Sequence, residues 1–153
     1  MTDTSASRAA EAVFFTGFAV LICHELDAVL HHEWRVLPLV RMLPDAAGYV
    51  VFVLAHVPLF VALMLMLTSA SARLRLGTRL GIDAFLLLHA VLHVLFRNHV
   101  HYDFAGWLSN GLIFGGAVVG ALHLVLLRWP IAAVPESRPG RAGGRSRAGG
   151  GAS

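Results

Sequence analysis

Four long apolar runs, at about residues 12–30, 48–67, 80–96 and 104–127, constrain this chain more than any other feature. Each approaches the roughly 20 residues that a helix needs to cross about 30 Å of hydrocarbon at 1.5 Å per residue. A bilayer offers no partner for backbone N–H and C=O groups, so segments of this length must satisfy them as helices. The expected fold is an all-α, integral membrane four-helix bundle over residues 11–129. A flexible polar N-terminus (1–10) precedes it. The Gly/Arg/Ser/Pro-rich tail (130–153) has too few apolar side chains to build a core and is expected to be disordered. Composition agrees, with 57% hydrophobic and only 14% charged residues. An ordinary soluble domain carries about 25% charge.

The first run could be mistaken for a signal peptide. Glu11 stands where a basic flank belongs, however, no Ala-x-Ala site follows, and the helical pattern continues to Leu30. One cysteine excludes an intramolecular disulfide; Cys23 is read as a small buried apolar residue. Pro58 lies inside the second run and should leave the carbonyl of Leu54 without its usual donor, close to His56.

Charge sets the expected orientation. All 12 basic residues are Arg. Four spans put both termini and the loop read as Ser69–Arg79 on one side, with Arg8, Arg73, Arg75, Arg79, Arg128 and the Arg residues of the tail. The other side holds Arg35, Arg41 and Arg97. The positive-inside rule makes the Arg-rich side cytoplasmic. Trp34, Tyr49, Tyr102 and Trp107 would then form the outer aromatic belt. The basic tail points to contact with anionic lipid headgroups rather than to nucleic acid. Span four carries Gly111-x-x-x-Gly115 and Gly116-x-x-x-Gly120 on different faces. Small residues at that spacing allow close helix approach, within the bundle or between copies in a homo-oligomer.

Against this frame the histidines stand out. His24, His56, His89 and His93 lie within the outer halves of spans one, two and three, and His31, His32, His99 and His101 lie at the outer rim. Only His123 belongs to the inner half. His24, Asp27 and His31 share one helix face, as do His89 and His93 at i, i+4. Ionisable groups in a membrane helix face inward, toward partners.

Imidazoles from three spans with a carboxylate suit a transition metal ion, Zn, Fe or Cu, better than Mg or Ca. The expected ligands are His24, His56, His89 and His93, with Asp27 ligating, bridging or orienting. His31, His101 and Glu25 form a second tier, and Asp27 and Glu25 are the candidate catalytic carboxylates. The expected function is a metal-dependent membrane enzyme that oxidises or hydrolyses a small or lipidic substrate. Alternatives are one b-type haem between two axial histidines, a metal or proton transporter, and a structural His–carboxylate network. His123 is read as a hydrogen-bonded packing residue, and Asp83 as the local ion-pair partner of Arg79 one turn below it.

The motifs His24-Glu25-Leu26-Asp27-Ala28, His32-Glu33-Trp34-Arg35 and His56-Val57-Pro58-Leu59-Phe60 resemble small bacterial multipass membrane proteins of uncharacterised function. His89-x-x-x-His93-x-x-x-Arg97 and His101-Tyr102-Asp103-Phe104 extend the likeness over about residues 12–127. A fainter similarity links the chain to membrane proteins with an H-x-x-E-E motif, and by chemical analogy to membrane di-iron hydroxylases. The resemblance implies a bacterial plasma membrane location and brings no reaction with it; the Arg distribution makes the His-rich side extracytoplasmic.

Overall fold

The computed structural model describes residues 2–132, with side chains from 7 to 128. Its helices are α1 (Thr2–Leu30), α2 (Asp45–Leu67), α3 (Ala72–Phe96) and α4 (Trp107–Ala132). All four are long and apolar enough to cross a membrane, and among the described residues there is no strand. The tail read as disordered lies, from residue 133 on, outside the described residues.

α1 and α3 begin well before their apolar runs. Residues 2–10 continue α1 toward the N-terminus. α3 starts at Ala72 because Ser71 caps it, its hydroxyl accepting a hydrogen bond from the Leu74 N–H at 3.3 Å. The basic stretch is therefore not a loop. Arg73, Arg75 and Arg79 ride on the first turns of α3, and only Thr68–Ser71 connects it to α2.

α1, α3 and α4 form the close-packed body. Along α1, Phe14 lies 5.2 Å from His123 (ring centroids), Gly17 faces Val119 and Val20 faces Gly116, so α1 and α4 run antiparallel. One apolar layer at this end joins Phe14, Phe18, Leu21, Ile82 and Leu86. A second, toward the other end, joins Ala28, Trp34, Phe52, Ala90, Phe104 and Ile113. α2 is the outlier. Along it only Gly48 and Phe52 are buried, and Phe60 reaches Phe18 at 6.4 Å.

The connection from α1 to α2 folds back over the second layer through two 3-10 turns, Glu33–Arg35 and Val40–Met42. His32 takes the left-handed conformation (φ 57°, ψ 44°) that ends a helix and reverses the chain. Glu33 and Trp34 are thereby driven back into the bundle. Trp34 is not part of an interfacial belt: it is buried, stacks near Phe52 and Tyr49, and donates its indole N–H to Asp45 at 2.9 Å. Arg35 grips the same carboxylate with two hydrogen bonds of 2.7 Å. Trp107 stays fully outside, as a belt residue should. Cys23 is exposed on the outer face of α1, not buried, since its neighbour His24 takes the inward position.

The two glycine pairs of α4 divide between faces. A Cβ at Gly120 would meet the Asp83 carbonyl at 3.3 Å, and one at Gly116 a Leu86 methyl at 3.2 Å; nothing stands near Gly111 or Gly115. Gly116 and Gly120 are the close-approach positions between α4 and α3. We expect Gly120→Leu to destabilise the bundle by about 1–3 kcal/mol through overpacking. Gly111→Ala should stabilise it by about 0.5–1 kcal/mol by reducing backbone freedom. Unfolding in detergent micelles reads both.

Candidate metal centre

α1 turns His24, Asp27 and Ala28 inward on one stripe; His24 is 2% exposed. α3 presents His89 and His93, one turn apart and both buried, to the same point. The three rings meet through their Nε2 atoms. His89 Nε2 stands 2.6 Å from His24 Nε2 and 3.0 Å from His93 Nε2. Glu33, returned to the interior by the turn at His32, completes the group. Its two oxygens lie 3.9 Å from His24 Nε2 and 3.9 Å from His93 Nε2. All four ligand atoms fall within 4.8 Å of one another, and all four residues are buried.

The donor set fits a metal ion. Ligand atoms around a tetrahedral zinc, each about 2.0–2.1 Å from it, are about 3.3 Å apart. The observed separations bracket that value. Imidazoles facing one another nitrogen to nitrogen have at most one shared proton per contact, and no ordinary hydrogen-bond pattern calls for three at one point. The outer nitrogens are partly engaged as well. His93 Nδ1 is 3.1 Å from the Tyr102 hydroxyl, a contact that orients a ligand ring. His24 Nδ1 is buried with no hydrogen-bond partner among the described residues. Burial, then the charges of Glu25 and Asp27, push the Glu33 carboxyl up to about 8. Burial and Glu33 push the Tyr102 phenol up. A cation held at the Nε2 junction would oppose both shifts. Haem fits poorly. A porphyrin plane between two axial histidines needs about 2 Å of metal–nitrogen bond on each side, and here two ring nitrogens are already 2.6 Å apart.

The remaining sequence-predicted residues surround this group rather than join it. His56 Nδ1 donates to the Phe52 carbonyl at 2.7 Å, not to the carbonyl freed by Pro58, because a histidine reaches back along its own helix most easily to position i−4. Its Nε2 pairs with Glu25 at 2.8 Å. With Nδ1–H committed to Phe52, the His56–Glu25 contact holds one proton to share. Asp27 lies 3.4 Å from His31 Nε2, and His31 Nδ1 is 3.5 Å from Asp103 at the exposed rim. His101 sits on the exposed connection to α4, beside His99, which accepts a hydrogen bond from Arg41. Asp83 does not pair with Arg79. It binds His123 Nδ1 at 2.6 Å, while Arg79 turns to Glu11 of the extended α1 at 3.3 Å.

Glu33 is the member that reading the sequence missed. It falls after the end of a membrane span, in what reads as a polar connection. Only the left-handed turn at His32 brings it inside, and nothing in the local sequence marks a histidine for that conformation.

Glu33, His89 and His93 form one end of a cavity of about 750 Å³ between α2 and the α1–α3 face. The His56–Glu25 pair lines its wall nearby, and its remainder is almost wholly apolar. The layer of Phe18, Leu21, Ile82 and Leu86 separates this end of the bundle from the buried Asp83–His123 pair.

Two of the comparisons with known proteins are blank: neither the curated proteins nor the solved structures contain a match. One family model matches, over residues 10–129, and is described as a family of unknown function (DUF6713).

Proposed function

The chain belongs to that family of unknown function, and from its geometry we propose that it is a metal-dependent integral membrane enzyme with a hydrolytic reaction. The observation that carries this reading is the convergence of three Nε2 atoms from two helices on one buried point faced by a carboxylate. A network serving only to glue helices explains it poorly. Interhelical hydrogen bonds in membranes average about 0.6 kcal/mol, whereas an ionisable group at mid-membrane costs about 2.5–3.5 kcal/mol. A transport path is disfavoured by the apolar layer beneath the site.

His24, His89 and His93 would hold the ion, which is zinc, iron or copper by the character of its donors. Such an ion supplies Lewis acidity to a bound water. Glu33, its oxygens 3.9 Å from His24 Nε2 and His93 Nε2, would accept a proton from water at the site. The Glu25–His56 pair, sharing one proton, returns a proton to the leaving group; it replaces His56 as ligand in our reading. Asp27 and His31, with Asp103 beyond them, link this level to the rim and exchange protons with solvent. The Arg distribution supports a bacterial plasma membrane topology with cytoplasmic termini and an extracytoplasmic centre. A contact between copies through α4 would use its open Gly111 and Gly115 face.

Protein purified without chelator is expected to retain one transition metal ion per chain by elemental analysis, with no Soret band. Protein that retains no ion, even after reloading with zinc, would overturn the reading; a Soret band would replace it with the haem alternative.

A further inference from the structure

The cavity that ends at the metal centre reaches far beyond it. On α3 its lining recurs turn by turn from Phe96 to Leu74, about 33 Å at 1.5 Å per residue, as deep as the hydrocarbon of a bilayer. Below His89 roughly 22 Å of that length remains. The floor there is cut by Gly77 and Gly81, and a Cβ added at either would meet nothing within 4 Å. α2 forms the opposite wall and stands off from the body of the bundle. The ionisable groups cluster at one end, and the remainder is apolar apart from Thr78, whose hydroxyl is bonded to the Leu74 carbonyl.

We propose that this groove is the substrate-chain subsite, and that the substrate is a lipid with a single long hydrocarbon chain whose hydrolysable bond lies near its polar end. The inference rests on the enzyme reading above for the chemistry, but not for the binding. Three features commit the groove to a chain. It is one-sided in polarity, like such a lipid. It is continuous with the candidate centre, so that a chain seated in it delivers its head to Glu33 and His89. Gly77 and Gly81 interrupt the side chains of its floor, which leaves an extended, half-open slot between α2 and α3 instead of a flat surface. Hydrolysis there adds water across the scissile bond. The hydroxyl goes to the acyl carbon, and the proton goes to the departing alcohol.

The test uses a monopalmitoyl glycerol carrying a mid-chain diazirine, photolysed with the purified protein in micelles. Cross-links are expected on the groove-facing peptides of α2 and α3, competed by unlabelled monopalmitoyl glycerol and not by monooctanoyl glycerol. Each buried methylene is worth about fourfold in affinity. Gly81→Phe, which excludes several, should therefore weaken competition by about tenfold or more. Gly77→Phe repeats the test at a second position, and Ala19→Phe, on the exposed face of α1 away from the groove, should change nothing. Metal content is measured on the same samples. Labelling spread equally over the outer faces, or unchanged in both groove variants, means annular lipid only and overturns the proposal. Groove labelling in a protein that holds no ion supports the chain subsite and removes only the enzyme reading.

Discussion

His89→Ala is expected to abolish metal retention. His89 Nε2 is the nitrogen closest to both other rings, at 2.6 Å from His24 and 3.0 Å from His93. Without it the remaining donors are one imidazole on each of α1 and α3 and one carboxylate, held 3.9 Å from either. Losing a residue that merely orients a ligand weakens a metal by about 10–100-fold. Losing the central ligand should exceed that, so an ion present at one per chain in the wild type would be removed by dialysis. Tyr102→Phe, which strips the hydrogen bond from His93 Nδ1, should fall in the milder range, at about tenfold. His56→Ala and His101→Ala should keep the ion, since the former ring is committed to Glu25 and Phe52 and the latter lies on the exposed rim. Elemental analysis of the four variants distinguishes the proposed ligand set from the wider one that the sequence suggests. Equal loss in His56→Ala and His89→Ala would restore His56 as a ligand.

That contrast shows what the sequence made legible. Four apolar runs and the bias of the histidines to one end of the bundle could be read directly, because hydrophobic length and helical spacing are local properties. His89 and His93 are paired by spacing alone. What spacing cannot show is which way a helix is rotated. His56 and His24 lie at similar depth, yet α2 turns His56 toward Glu25 while α1 turns His24 toward α3. The same ambiguity misplaced Cys23, one residue and about 100° from His24 and so turned to the exposed side. Glu33 was beyond local reasoning altogether, because its burial depends on a backbone reversal at His32. Asp83 was assigned to Arg79 by sequence proximity. Its partner His123 is 40 residues away, and only the close approach at Gly120 brings α4 near enough to supply it.

Asp83→Ala is expected to give the largest loss of stability in the bundle, about 3 kcal/mol, without removing the metal. His123 is fully buried and Asp83 is 1% exposed. Among the described residues Asp83 is the histidine's one hydrogen-bond partner, since His123 Nε2 has none there. Truncation leaves an imidazole with neither nitrogen satisfied, a worse outcome than losing an average interhelical hydrogen bond at about 0.6 kcal/mol. It approaches the 3–5 kcal/mol typical of breaking a buried pair by removing one member. Asp83→Asn keeps an acceptor for His123 Nδ1–H and should cost only about 1 kcal/mol. Denaturant titration in micelles measures both. The metal should survive both substitutions because Phe18, Leu21, Ile82 and Leu86 fill the space between the two polar groups. If Asp83→Ala instead released the ion while leaving stability intact, the two clusters would be coupled across that layer. The pair would then belong to a path through the membrane, and the transporter alternative would displace the enzyme.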